Sequence, residues 1–92
     1  MRATYVEALP GYQIRVRFED NISGIIDLKA LIQKGIFTAL QDNDLFKRVY
    51  LTDSAIAWSD ELEIDLLTVY SEITGKKPED LLNHVSDYHA AD

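Results

Sequence analysis

Residues 12–28, YQIRVRFEDNISGIIDL, constrain the fold more than any other part of this 92-residue chain. Apolar and polar residues alternate strictly over residues 12–18, which is the pattern of a β-strand with one buried face. A second run with a period of two covers residues 22–28, and the polar residues between the two runs are typical of a turn. This stretch therefore predicts a β-hairpin.

The length of the hairpin loop decides which residues face each other. A two-residue loop at Asp20-Asn21 would place Ile14 opposite Asp27 and bury a carboxylate. A three-residue loop over residues 19–21 keeps both faces consistent, and it gives Asn21 a left-handed conformation that Asn tolerates. The predicted pairs are Phe18 with Ile22, Val16 with Gly24, Ile14 with Ile26 and Tyr12 with Leu28. The missing side chain of Gly24 leaves room for another element to pack closely.

The remaining strands complete a predicted α+β domain. Residues 4–9 favour a strand that a turn at Pro10-Gly11 joins to the hairpin, so the first three strands form a meander. The sequence leaves the face of this first strand open, because a two-residue turn would bring Glu7 onto the apolar side. A second hairpin around Asp53-Ser54 would pair Leu51 with Ile56. We expect an antiparallel sheet of about five strands with short covering helices.

Capping residues predict where the helices lie. Asp27 can cap a helix over residues 28–34, and Asp44 can cap a further turn. Asp65 can cap a helix over residues 66–74 that ends at Gly75. Residues 75–92 form a predicted helical tail, in which Pro78 suits the first helical position. The apolar stripe of this tail consists of Leu81, Leu82, Val85 and Tyr88.

Length and composition indicate one globular domain over residues 1–92. A hydrophobic content of 47% with 27% charged residues argues against disorder. The absence of cysteine excludes disulfides and cysteine-ligated metal sites. The first residues lack the apolar stretch of a signal peptide, and no apolar run approaches the roughly 20 residues of a membrane span. We therefore expect a cytoplasmic protein without a membrane partner.

The net charge of -7 is concentrated in the second half of the chain. Residues 1–48 contain seven basic and six acidic side chains, whereas residues 49–92 contain two basic and ten acidic ones. Such an acidic half repels a nucleic acid backbone, so a nucleic acid partner is not expected. It would attract a basic partner, and it also serves simply as a solubilising face.

Several motifs are similar to those of a small bacterial family named domain of unknown function 2442. The resemblance covers roughly residues 6–70 and rests on Phe18-Glu19-Asp20-Asn21, Gly24-Ile25-Ile26-Asp27-Leu28, Gly35-Ile36-Phe37, Leu40, Phe46, Trp58, Asp65 and Tyr70. The chain departs from the family pattern at Asn21, where Gly is usual, at Ser59 and Glu61, where Pro and Gly are usual, and at Leu66, where Pro is usual. The replacement at Asn21 is conservative for a turn, and those in the loop after Trp58 are less so.

The resemblance implies a small α+β fold with an antiparallel sheet. It also implies that members are often encoded beside another small protein, in pairs suspected to be toxin-antitoxin-like. Some members carry an additional helix-turn-helix domain, for which residues 75–92 are too short and too acidic.

The sequence predicts no catalytic, metal or cofactor site. His84 and His89 are five residues apart, about 140° around a helix, so they cannot chelate one metal. Glu61, Glu63 and Asp65 alternate with apolar residues as on the solvent side of a strand, without the glycine and terminal glutamate of a calcium loop. Trp58 is most simply a core residue.

Surface for a protein partner remains as the leading functional feature. Arg15 and Arg17 lie on the outer face of the predicted sheet, and with the four apolar residues of the tail they are the candidate partner-binding residues. The tail would dock on its own sheet, on a second copy or on a partner. We expect a non-catalytic interaction module, as the antitoxin-like member of a gene pair or as a homodimer. The alternatives are a nucleic-acid-associated regulator and an enzyme of unrecognised type.

Overall fold

The first half of the chain forms an antiparallel meander. The structure is a computed structural model, and it describes residues 1–76. Strands β1 (Ala3–Leu9), β2 (Gln13–Phe18) and β3 (Ser23–Asp27) form a three-stranded sheet in the order β1-β2-β3. The alternation in β2 has the predicted result, because Val16 is fully buried while Arg15 and Arg17 are exposed.

The predicted register of the hairpin is confirmed. Ile14 pairs with Ile26, and Val16 pairs with Gly24. The pairing continues at both ends, since Phe18 N donates to Ile22 O at 2.8 Å and Leu28 N donates to Tyr12 O at 2.9 Å. Asn21 has the left-handed φ of 69° that a three-residue loop requires.

The face of β1, which the sequence leaves open, follows from its turn. Gly11 has a φ of 78°, and Tyr12 extends the turn by one residue with a φ of 59°. This extra residue shifts the pairing so that Glu7 lies opposite Arg15 on the outer face. The apolar pairs Val6 with Val16 and Ala8 with Ile14 then share the inner face.

The expectation of one sheet of about five strands is wrong, because the six strands within residues 1–76 divide into two sheets. Strands β4 (Tyr50–Leu51), β5 (Ala55–Ala57) and β6 (Glu63–Asp65) form a second antiparallel sheet in the order β4-β5-β6. Leu51 pairs with Ile56 as predicted, and Ile56 also pairs with Ile64. Strand β4 lies beside β1, whose pairing with β2 is irregular between Ala3 and Tyr5.

The connecting segment contains short helices that differ from those predicted. Instead of a helix over residues 28–34 there is a 3₁₀-helix, Leu31–Gln33, because Leu28 is still bonded to Tyr12, the residue before β2. The apolar connector after it is a second 3₁₀-helix, Gly35–Gln41. Helix α1 (Asn43–Phe46) follows, and its cap is Asp42, whose carboxylate accepts from Asp44 N at 3.0 Å. The prediction of Asp44 as the cap was therefore wrong by two residues.

Helix α2 (Leu66–Thr74) begins and ends as predicted. The Asp65 carboxylate accepts from Leu67 N and Thr68 N, and Gly75 ends the helix with a φ of 75°. The helix packs on β3, where Ile73 lies against the bare backbone of Gly24.

Aromatic rings join the two sheets in one core. Phe46 contacts Tyr12 edge-on at a centroid distance of 5.2 Å and stacks against Trp58 at 5.9 Å. Trp58 is buried, as predicted, and its indole Nε1 donates to Phe46 O at 3.0 Å. The fully buried side chains around them include Ile14, Val16, Leu40, Ile56 and Leu66.

The predicted helical tail and its stripe of Leu81, Leu82, Val85 and Tyr88 lie outside the described residues, as do His84 and His89.

Candidate interaction surface

The outer face of the first sheet is partly basic and exposed. Arg15 and Arg17, the two candidate residues on this face, lie beside Tyr5 and Glu7 because β1 pairs with β2 in the register described above. A shallow depression of about 500 Å³ is lined by Thr4, Tyr5, Glu7, Arg15, Arg17 and Ser23. Tyr5 could not be assigned to this surface from the sequence, because the sequence leaves open which face of β1 is buried.

Salt bridging neutralises part of this basic character. Arg15 Nη1 donates to Glu7 Oε1 at 2.9 Å, with both side chains partly exposed. The Glu7 side chain also raises the pKa of Tyr5, because an acceptor of negative charge beside the hydroxyl favours its protonated form. Arg17 has no acidic partner within residues 1–76.

Strand β3 has an open backbone edge. The backbone hydrogen bonds from Phe18 N to Ile22 O and from Leu28 N to Tyr12 O set the pattern of the pairing. In this pattern the backbone N–H and C=O groups of the even-numbered residues of β3 point toward β2. The backbone N–H and C=O groups of Ser23, Ile25 and Asp27 therefore point away from β2. They have no backbone hydrogen-bond partner within residues 1–76.

The side chains of β3 do little to protect this edge. Ile25, the central residue of the strand, is 52% exposed, and Ser23–Asp27 contains no proline or lysine. Natural sheets usually cover or charge such edges, because a free edge can pair with another chain. Strand β3 carries one exposed carboxylate, Asp27 at its end, whereas the three-residue edge strand β6 carries two, Glu63 and Asp65. The edge of β3 is therefore available for a contact.

A groove of about 480 Å³ lies beside this edge. Helix α2 forms one wall, and the segment after β3 forms the other. The groove is lined by Ile14, Ile25, Ile26, Asp27, Leu28, Ala30, Leu31, Lys34, Ile64, Thr68, Val69 and Glu72. Its lining is mostly apolar, and its charged residues are Asp27, Lys34 and Glu72. Asp27 is paired with Lys29 Nζ at 3.8 Å. Lys34 belongs to the segment after β3 and Glu72 to α2. Neither Lys34 nor Glu72 is in an ion pair within the described part of the chain.

Sequence reasoning missed the groove because three separate segments build it. The available signal was Gly24, whose lack of a side chain predicts a closely packed element. The structure confirms that prediction, since a Cβ atom on Gly24 would lie 2.8 Å from Ile73 Cγ2.

A polar contact fixes the hairpin loop to α2. Tyr70 Oη donates to Asp20 Oδ2 at 2.7 Å, and Ile22 N donates to Asp20 Oδ1 at 3.0 Å. The hydrogen bond from Tyr70, followed by the one from Ile22, holds the pKa of Asp20 below its ordinary value. The same contact raises the pKa of Tyr70.

Two general properties of residues 1–76 bear on other kinds of site. They contain no group of three or more His, Asp or Glu side chains placed to hold a metal ion. None of their helices is long and apolar enough to cross a membrane.

Comparison with known proteins supports the family resemblance. No curated protein and no solved structure matched the chain. Residues 3–75, which include both sheets, α2 and both walls of the groove, match the family described as "Protein of unknown function (DUF2442)". The chain therefore belongs to this family.

Proposed function

We propose that the protein is a non-catalytic protein-protein interaction module of the bacterial cytoplasm. The observation that carries this proposal is the apolar groove beside the open edge of β3. Apolar concave surfaces with a few polar groups at the rim are the usual form of a binding site, and a free strand edge adds unpaired backbone groups to it.

The product of the adjacent gene is the partner that we propose. Support comes from the resemblance, because members of the family are often encoded in pairs suspected to be toxin-antitoxin-like. The proposed role is neutralisation of that partner by binding. The net charge of -7 favours association with a basic protein.

The alternative functions have weaker support. A nucleic-acid-associated regulator would use Arg15 and Arg17, but Arg15 is paired with Glu7 and the second half of the chain is acidic. Tight, salt-sensitive retention on duplex DNA would favour this alternative. An enzyme would place a carboxyl group of perturbed pKa in a pocket. Asp20, whose pKa is lowered, lies in the hairpin loop rather than among the residues that line the groove.

Co-expression with the adjacent gene product tests the proposal. We expect the two proteins to purify as a stoichiometric complex and Thr68→Arg to weaken it, because the exposed Thr68 lines the groove and a long cation would obstruct it. Thr38→Arg introduces the same side chain at another exposed threonine outside the groove and should leave the complex intact. Absence of a complex, or equal binding by both variants, would contradict the proposal.

A further inference from the structure

We propose that the groove receives an extended segment of a partner protein as an additional strand on the edge of β3. The segment has apolar side chains at alternate positions, a carboxylate at one end and a cation at the other. This inference rests on the proposed function and specifies how the partner is recognised.

The backbone of β3 supplies the first part of the recognition. Ser23, Ile25 and Asp27 offer an alternating row of donors and acceptors that point away from β2. An added strand would satisfy these groups, as in other domains that bind peptides by extending a sheet.

The groove supplies the second part. In an added strand every second side chain would point toward the inner face, where Leu28, Leu31 and Val69 line the groove. A volume of about 480 Å³ lies within the usual range of ligand pockets, roughly 300–1,000 Å³. Apolar side chains suit these positions, because a polar group there would lose its hydration without gaining a partner.

The rim supplies the third part through Glu72 and Lys34, because the remaining charged lining residue, Asp27, is already paired with Lys29 Nζ at 3.8 Å. Ile73 lies against Gly24, so its neighbour Glu72 is near the start of β3. Lys34 follows the end of β3, where Ile32 N donates to Leu28 O at 3.1 Å. A complementary segment places its cation near Glu72 and its carboxylate near Lys34.

A slender segment fits this edge better than a second copy of the chain. Paired strands lie only about 4.8 Å apart, whereas packed helices need about 8–10 Å between their axes. Because α2 packs on β3, antiparallel pairing of two β3 strands would place both copies of α2 on the same face of the joined sheet, whereas a lone segment adds no helix there.

Four blocked peptides test the proposal on the full chain. Each has seven residues, with valine at the second, fourth and sixth positions and threonine at the third and fifth. The first and seventh residues are Glu and Lys, Lys and Glu, Glu and Glu, or Lys and Lys, respectively. Amide NMR spectra report binding. We expect one of the two bipolar peptides to bind best at low salt, by about threefold to tenfold, with shifts and slowed hydrogen exchange at Ser23, Ile25 and Asp27.

Exchanging the two rim charges provides a specificity test. The double variant Lys34→Glu, Glu72→Lys keeps the net charge and alters exposed side chains only. We expect it to prefer the bipolar peptide of opposite order. Unchanged preference in this variant would overturn the proposal.

The backbone contact has its own pair of variants. Ile25→Pro removes an N–H that points away from β2, so the hairpin keeps its internal bonds while the added strand loses a donor. We expect it to abolish peptide binding, and Ile25→Val to retain it. If Ile25→Pro does not fold, the rim-charge exchange still decides.

Other outcomes would overturn the inference. Binding of none of the four peptides would do so, and so would shifts confined to the outer face around Tyr5. Slow exchange of the three β3 amides in the free protein would identify another occupant: residues 77–92 if it is independent of concentration, and a second copy if it rises with concentration. A stable complex with the adjacent gene product together with failure of the peptides would refute only the mode of binding.

Discussion

Val16 is fully buried in the middle of β2, paired with Val6 on one side and Gly24 on the other. We expect Val16→Asp to unfold the domain, since a carboxylate there would have no route to water and no partner. The expected loss exceeds about 4 kcal/mol, a large part of the roughly 5–15 kcal/mol that stabilises a typical domain. Urea unfolding followed by circular dichroism measures it. The exposed neighbour variant Arg17→Asp should stay within about 0.5 kcal/mol of the original protein, and a folded Val16→Asp would contradict the assigned face.

The contact between Tyr70 and Asp20 predicts a pH dependence. Because the folded pKa of Asp20 lies below its ordinary value, its contribution to stability is present above the ordinary Asp pKa, about 3.9. That contribution is lost as the pH falls through the lower folded pKa. The pKa of Tyr70 is raised, so its contribution to stability has the opposite pH dependence: it is present at lower pH and is lost only as the pH rises above about 10.

Tyr70→Phe should therefore make stability less sensitive to acid. It removes the hydroxyl while keeping the edge-on ring contact with Phe18 at 4.9 Å. We expect the pKa of Asp20 to rise without reaching its ordinary value, since Ile22 N still donates to it. Carboxyl NMR titration measures this change. Tyr50→Phe, at an exposed tyrosine, is the control, and an unchanged Asp20 pKa in Tyr70→Phe would refute the importance of this hydrogen bond.

At the scale of elements, Gly24 sets how closely α2 approaches β3. A Cβ atom there would lie 2.8 Å from Cγ2 and 3.1 Å from Cγ1 of Ile73, so one of the two elements would have to shift. We expect Gly24→Ala to cost about 1–3 kcal/mol.

A double-mutant cycle isolates that contact. In an Ile73→Ala background the obstructing atoms are absent, so the cost of Gly24→Ala should fall by at least about 1 kcal/mol. Thermal and urea unfolding of the four proteins give the coupling energy. Additive effects would show that Gly24 is required for another reason.

At the scale of the whole molecule, Phe46 joins the two sheets. It contacts Tyr12 at the end of the first hairpin and Trp58 after β5, and it is fully buried. We expect Phe46→Ala to cost about 3–5 kcal/mol and both sheets to melt together. Phe37→Ala removes the same atoms from a half-buried position and should cost less. Separate transitions for Trp58 fluorescence and far-ultraviolet circular dichroism would contradict a shared core.

Local patterns in the sequence determined the elements whose geometry depends on near neighbours. Alternation fixed the buried face of β2, and the unfavourable burial of Asp27 selected the three-residue loop with Asn21 left-handed. Asp65 and Gly75 marked both ends of α2. These features could be predicted because each depends on the period of the chain, on a cap or on a turn only a few residues long.

Tertiary structure alone decided the features that depend on distant partners. The bond from Leu28 to the distant Tyr12 shortened the following helix. The sequence allowed two lengths for the turn before β2, and only the structure, in which Tyr12 belongs to that turn, settled the face of β1. The division into two sheets, and the groove between β3, α2 and residues 30–34, required segments far apart in sequence to meet. Periodicity says which face of an element is apolar, but not which other apolar face covers it, because burial is not directional.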